Sequence, residues 1–237
     1  MNTDSPCADA VPVGFGVDAL DRRTGGLARG ALHDVYADGG EAAAAMGFAL
    51  LIARRAGGKV AVIRDDRAVA DHGRLYGDGL AALGIDPAAL VVVHAGDIAA
   101  LLRAAGDAVQ CRDLAVVVEP WQRAPAFDLT ATRRLALRLE RAGGFAIVVR
   151  VGVDPVPSAA MTRWHVRAAP SVALAAGAPG SPAFDLTLLR HRRGVAGFDA
   201  RLEWNRDQHR FACPPLSRPV PAVASRRARD SGERRAA

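Results

Sequence analysis

Short apolar segments alternate with amphipathic segments along most of the chain. The pattern predicts a strand over residues 31–36, where polar and apolar residues alternate, and an alanine-rich helix over 41–56. Four continuous apolar runs, typical of strands buried on both faces, follow at residues 59–63, 90–94, 114–118 and 145–149. Helical segments separate them at residues 98–110, 130–141 and 71–83, the last with interruptions at Gly73, Gly77 and Gly79. This alternation predicts an α/β fold with a mostly parallel central sheet and helices on both faces.

The pattern changes after Arg150. Prolines interrupt the chain, and Ser158 is a suitable N-cap for a short helix over residues 159–162. Strands are predicted at residues 163–167 and 171–175.

Two later segments alternate polar and apolar residues and are joined by the basic turn at residues 191–194. They cover residues 184–190 and 200–205, and a last short segment ends at Phe211. Alternation on both sides of a tight turn predicts a C-terminal antiparallel hairpin at the sheet edge, with one face toward water.

Composition divides the chain into three parts. Residues 1–12 are polar and predict a flexible N-terminal arm, and residues 13–213 carry the elements of one domain. Residues 214–237 are rich in proline, serine and arginine, which predicts a disordered basic tail.

A glycine turn joins the first predicted strand to the first long helix, the place where a P-loop NTPase holds its phosphates. The turn keeps Gly39 and Gly40, but residues 42–45 are four alanines where the motif needs Gly-Lys-Ser/Thr. Asp38 and Glu41 add negative charge where phosphates would bind. We therefore expect a degenerate phosphate loop, no bound cofactor and no enzymatic activity.

Other polar residues follow the predicted strands, where open α/β sheets bind ligands. Glu119 takes the place of the carboxylate that handles Mg²⁺ in an ATPase, but without the lysine we expect a structural carboxylate. Asp65 and Asp66 are weak metal-ligand candidates, for which a solvated loop is the better interpretation. His94 is interpreted as a strand-end histidine rather than a base. No catalytic or metal site is predicted.

Charge and cysteine content give only weak indications of the binding partners and of the cellular compartment. The net charge is +6, and Lys59 is the only lysine, so arginine carries nearly all the positive charge. Cys7, Cys111 and Cys213 are far apart, which favours buried or incidental thiols in a reducing compartment. Without an apolar signal segment or a membrane-length run, we expect a cytoplasmic protein that does not contact the membrane.

The glycine pattern of residues 14–30, the strand–turn–helix and the alternating sheet together resemble the RecA-like ATPase core. More narrowly, the chain resembles the ImuA family over about residues 11–212. The narrower resemblance rests on the following stretches: residues 75–87, 128–135, 157–166 with 168–171, and the hairpin 188–194 with 202–205. The most specific of these is Ser158-Ala159-Ala160-Met161-Thr162-Arg163-Trp164.

The resemblance implies a RecA-like domain over residues 13–213 with a degenerate P-loop. It implies a non-catalytic adaptor in SOS-induced, mutagenic translesion DNA synthesis, which bridges an ImuB-type polymerase homologue, a DnaE-type error-prone polymerase and RecA. Two alternatives stay open: an active RecA-like ATPase or DNA-binding recombinase paralogue, and a SulA-type inhibitor of cell division. A homo-oligomer also stays open.

Exposed arginines are the candidates for partner or DNA binding. They are Arg190, Arg192 and Arg193 at the hairpin and Arg226, Arg227, Arg229, Arg234 and Arg235 in the tail. Aromatic residues make up only 5% of the chain, so any DNA contact would be weak, phosphate-led and non-specific. We favour an acidic protein partner. Trp164 and Trp204 are interface candidates, although packing is the more ordinary role.

Overall fold

The computed structural model describes residues 11–122, 124–171 and 180–213. The strands are β1 Ala31–Ala37, β2 Lys59–Asp65, β3 Leu90–Ala95, β4 Leu114–Glu119, β5 Phe145–Val151, β6 Thr162–Ala169, β7 Ala183–His191, β8 Phe198–Asn205 and β9 Arg210–Ala212. The α-helices are α1 Asp18–Thr24, α2 Ala42–Arg55, α3 Asp66–His72, α4 Gly77–Ala82, α5 Ile98–Ala108 and α6 Leu129–Ala142. The predicted tail and all of the predicted arm except Val11 and Pro12 lie outside the described residues.

One sheet contains all of these strands, in the order β3-β2-β4-β5-β1-β6-β7-β8-β9. Neighbours from β3 to β6 are parallel, and neighbours from β6 to β9 are antiparallel. The predicted mostly parallel sheet with a C-terminal antiparallel hairpin is confirmed. The hairpin β7–β8 does not form the outermost edge, because β9 pairs with β8 beyond it.

Helices cover both faces of the sheet, as predicted. On one face α2 is buried from Phe48 to Ala53 and packs against an apolar layer that includes Val62, Val117 and Trp164. The alanines of α2 let its backbone approach five strands, β1, β2, β4, β5 and β6, closely. On the other face, α5 and α6 bury Leu101, Leu135 and Leu139.

Three sequence predictions are wrong in detail: the helix at 71–83, the helix at 159–162 and the burial of β3 on both faces. The helical segment predicted at 71–83 begins earlier, at Asp66, and forms two short helices. Gly73 (φ 81°) ends α3, as its predicted interruption implies, whereas Gly77 and Gly79 lie within α4. No helix forms over residues 159–162; the chain is irregular until β6, and the Met161 N–H donates to the Leu32 carbonyl. Residues 172–175 of the strand predicted at 171–175 lie outside the described residues.

The third error concerns β3, which was predicted to be buried on both faces. It pairs only with β2 and forms an edge of the sheet, where Val91 is 49% and Val92 42% exposed. None of the helices in the described part of the chain has the length and hydropathy of a membrane span.

Candidate functional site

The carboxyl ends of the parallel strands lie together along one end of the sheet, and the glycine turn is located there. β1 ends at Ala37, Asp38 is extended, and Gly39–Glu41 form a single 3-10 turn that leads directly into α2. The Glu41 N–H donates to the Asp38 carbonyl over 2.9 Å, which closes the turn. A phosphate loop has four residues between its first glycine and the Gly-Lys pair. Here the whole connection is residues 38–41, too short to surround a phosphate in that way.

The two acidic side chains of the turn point toward β6. The Glu41 carboxylate accepts the Ala168 N–H over 2.8 Å, and so attaches the turn to that strand. Asp38 is 73% exposed and lies 3.4 Å from His165 Nε2. The structure thus brings Asp38, Gly39, Gly40 and Glu41 together, with Glu41 in a structural hydrogen bond that the sequence did not reveal.

No cationic side chain opens α2. Residues 42–45 are alanines, and the side chain of the N-cap residue, Glu41, makes no capping hydrogen bond to the first turn of the helix. Lys59 is the first residue of β2, so it lies at the opposite end of the parallel strands. The positive end of the helix dipole therefore follows two acidic residues, Asp38 and Glu41, and the first turn of α2 contains no lysine.

Glu119 ends β4 and is the most enclosed carboxylate at this edge, with 1% of its surface exposed. Arg64, directly opposite on β2, donates from Nε to Glu119 Oε2 over 2.5 Å. His72 Nδ1 lies 2.8 Å from Oε1 of the same carboxylate. Arg64 also donates to the Gly73 carbonyl, which fixes the guanidinium in place. Both oxygens of Glu119 therefore have protein partners, in agreement with a structural carboxylate.

The other strand-end candidates remain separate. Asp65 caps α3 by accepting the Arg67 N–H over 2.9 Å. Asp66 and His94 are exposed and form a loose pair at 3.6 Å. Among the described residues, no three His, Cys, Asp or Glu side chains are grouped so as to hold a metal ion.

The hairpin arginines lie at the other end of the sheet. Arg192 and Arg193 line a cavity of about 430 Å³ with Arg29, Glu140 and the first residues of β1. The Arg192 N–H donates to the Met161 carbonyl, and Arg190 on β7 is exposed. The hairpin arginines and the glycine turn therefore cannot belong to one site. The five tail arginines lie outside the described residues.

A set of buried polar residues on β1 was not selected from the sequence. The His33 ring lies between Thr162 Oγ1 (2.8 Å) and the Ala28 carbonyl (3.0 Å), and burial lowers its pKa to about 4. Because a carbonyl only accepts, Nε2 carries the proton and Nδ1 accepts from the Thr162 hydroxyl. Asp34 accepts from the Ser158 hydroxyl and lies 3.6 Å from Arg163, while burial raises its pKa.

Both tryptophans singled out from the sequence are packed in the core. Trp164 is 1% and Trp204 0% exposed, and their ring nitrogens donate to Thr162 Oγ1 and the Leu83 carbonyl. They are structural residues within this chain. Cys111 and Cys213 are free and exposed rather than buried, and Cys7 lies outside the described residues.

Comparison with known proteins gives relatives in sequence and in fold. Protein ImuA from two strains of Caulobacter vibrioides, NA1000 / CB15N and ATCC 19089 / CIP 103742 / CB 15, is 35% identical over 196 residues, which span 73% of this chain and 75% of the relative. The crystal structure of the RadB recombinase matches with a TM-score of 0.60 and 18% identity, over 82% of this chain and 96% of that chain. This likeness shows that the fold is RecA-like. No protein-family model matches the chain.

Proposed function

This chain belongs to the ImuA family, and we propose that it is a non-catalytic, RecA-like adaptor of SOS-induced translesion DNA synthesis in the cytoplasm. In this role it bridges an ImuB-type polymerase homologue, a DnaE-type error-prone polymerase and RecA. The RecA-like fold supplies the scaffold, and the lost phosphate loop supports a role that does not depend on ATP.

The state of Glu119 carries the proposal. A RecA-like ATPase needs a carboxylate near this position that is free to handle Mg²⁺ or a water molecule. Here Arg64 and His72 occupy both carboxylate oxygens inside the protein. To release Glu119 for a metal would leave Arg64 buried without its counter-charge, which is strongly unfavourable.

The charge around the glycine turn supports the same conclusion. Phosphoryl transfer depends on cations that balance the charge developing on the phosphates. Asp38 and Glu41 contribute the opposite charge, and the first turn of α2 contributes only methyl groups. A triphosphate would meet repulsion where it needs a lysine.

Calorimetric titration with ATP and Mg²⁺ tests the non-catalytic part. We expect no heat of binding from the full chain at millimolar nucleotide, while an intact P-loop ATPase in the same cell gives a normal isotherm. The Ala42→Lys/Ala43→Thr variant, which restores the side chains of the motif, should stay inactive because Glu119 remains paired. Micromolar, Mg²⁺-dependent binding by the natural chain would refute the proposal.

A three-component capture tests the adaptor part. The ImuB-type protein is immobilised, and RecA or the DnaE-type polymerase is added with or without this chain. We expect retention of the second protein to depend on the chain and to be indifferent to ATP. Retention of equal amounts without the chain would contradict a bridging role.

A further inference from the structure

A groove of about 630 Å³ runs along the junction of α5 and α6, on the face of the sheet opposite α2. Its apolar lining comes from Leu102 on α5 and from Ala131 and Leu135 on α6. Ala131 and Leu135 are buried, whereas Leu102 is partly open to the groove. The volume is within the range of about 300–1,000 Å³ typical of binding clefts.

Three exposed arginines border this apolar floor: Arg103 from α5 and Arg134 and Arg138 from α6. Within the described ranges, no carboxylate forms an ion pair with any of them. The Arg138 guanidinium lies over the buried Gly106 of α5, where a Cβ atom would require the arginine side chain to move. This contact places a cation of α6 beside α5, at the groove wall.

The exposed face of α6 extends the same combination of charge and apolar surface. Leu137 is 45% exposed and lies at helical spacing from Arg133, Arg134 and Arg141, which are also exposed. A leucine surrounded by unpaired arginines is a surface for a partner that brings both apolar and acidic side chains.

The lining favours a protein segment over nucleic acid. None of the described residues that line the groove is aromatic, so they offer bases no surface on which to stack. Asp107 and Asp128 also line it and would repel a phosphate backbone. An amphipathic helix can place its leucines over the apolar floor and direct its glutamates toward the arginines and away from the two aspartates.

We infer that the α5–α6 groove is the docking site for an acidic amphipathic helix of a partner protein, bound in the helix-in-groove mode. The inference deepens the proposed function, since an adaptor needs a defined surface for each partner, and it rests on that function. The groove arginines, rather than those of the hairpin, are the cations that recognise this partner.

The probe is a short fluorescent peptide designed as a helix, with leucines at positions i, i+3, i+4 and i+7 and glutamates elsewhere. Its anisotropy is followed as the full chain is added. We expect saturable binding that weakens with salt, and about tenfold weaker binding to the Arg134→Glu/Arg138→Glu variant. The Arg192→Glu/Arg193→Glu variant carries the same charge change at the hairpin and should bind like the natural chain. Near-ultraviolet circular dichroism of the buried tryptophans checks that both variants are folded.

Peptides that separate the two contributions are the controls: one with the leucines scrambled and one with lysine in place of glutamate. Each should bind at least about tenfold more weakly. Equal binding of the scrambled peptide, no binding of the designed peptide, or tighter binding of a single-stranded oligonucleotide through Arg134 and Arg138 would overturn the inference.

The capture assay keeps this inference distinct from the proposed function. If the Arg134→Glu/Arg138→Glu variant bridges its partners as well as the natural chain does, the groove inference fails and the adaptor role stands. If the natural chain binds the peptide but bridges nothing, the adaptor role fails and the groove remains a peptide site.

Discussion

β1 and β4 are both central strands of one sheet, but they differ in the number and position of their polar residues. β4 is apolar until its last residue, Glu119. All seven residues of β1 are buried, although His33, Asp34 and Tyr36 lie among them. A buried polar group needs partners, so the two strands show where this fold requires specific contacts rather than apolar packing alone.

The partners of the two strands lie in different parts of the molecule. Those of Glu119 are on β2 and α3, within the parallel half. Most of those of β1 lie in residues 156–163: His33 contacts Thr162, Asp34 contacts Ser158, and the Tyr36 hydroxyl lies between the backbone N–H and carbonyl of Val156. His33 also contacts the Ala28 carbonyl, which precedes β1. The polar contacts of β4 therefore stay within the parallel half of the sheet, and those of β1 attach the segment before β6 to that half.

The two carboxylates also differ in how completely they are paired. Glu119 has a partner on each oxygen. Asp34 is fully buried, yet its Oδ1 and the Nε and Nη2 of Arg150 nearby have no hydrogen-bond partner among the described residues. The raised pKa of Asp34, caused by burial, reflects this weaker pairing.

The largest effect should follow from removing Glu119. Glu119→Ala leaves Arg64 buried without a counter-charge, so we expect the free energy of unfolding to fall by about 3–5 kcal/mol. Urea unfolding measures the loss. The Arg64→Met/Glu119→Leu double variant replaces both charges with apolar groups and should recover most of it. A loss below about 1 kcal/mol in the single variant would show that the pair is no more than a surface-type contact.

The second effect is a pH dependence from β1. The folded pKa of His33 is about 4, below its ordinary value of 6.5, so the unfolded chain takes up a proton first as the pH falls. Stability should therefore drop between pH 6.5 and pH 4, by about 3 kcal/mol from this residue. Asp34 acts in the opposite sense, because its raised pKa favours protonation of the folded state.

The His33→Gln variant isolates the histidine, because glutamine does not titrate and the contribution of Asp34 is common to both proteins. The difference between the two unfolding free energies should shrink or invert as the pH falls through this window. Parallel pH profiles for the two proteins would contradict a buried, neutral His33.

Much of the fold was predictable because strand and helix patterns are local. The apolar runs predicted the parallel strands, and the alanines at residues 42–45 showed directly that the P-loop lysine is absent. The position of a strand within the sheet, by contrast, cannot be predicted from the sequence of that strand alone. The sequence of β3 resembles that of β4, but β3 lies at the edge, so its valines are exposed.

Long-range pairing was the other information that the sequence did not contain. Arg64 and His72 are 55 and 47 residues from Glu119, and nothing local assigns them to it. The helix predicted after Ser158 fails because Ser158 is bonded to Asp34, 124 residues away. Arg134 and Arg138 lie on the exposed face of α6, but only the packing of α5 on α6 makes them the wall of a groove.

The smallest effect should follow from removing one oxygen atom, the Tyr36 hydroxyl, through which β1 contacts the segment before β6. The Tyr36→Phe substitution removes the hydroxyl that accepts the Val156 N–H over 3.1 Å, and we expect a loss of about 1 kcal/mol in stability. Faster hydrogen exchange at the Val156 amide should accompany it, because the segment before β6 loses a tether to the parallel half. Tyr76→Phe is the matched control, since Tyr76 is the other tyrosine and its hydroxyl, on an exposed residue, donates to the nearby Asp78 and to no other group in the described part of the chain. Equal hydrogen-exchange rates at the Val156 amide in both variants would show that the contact with β1 does not hold this segment. The proposed difference between the roles of β1 and β4 would then be wrong.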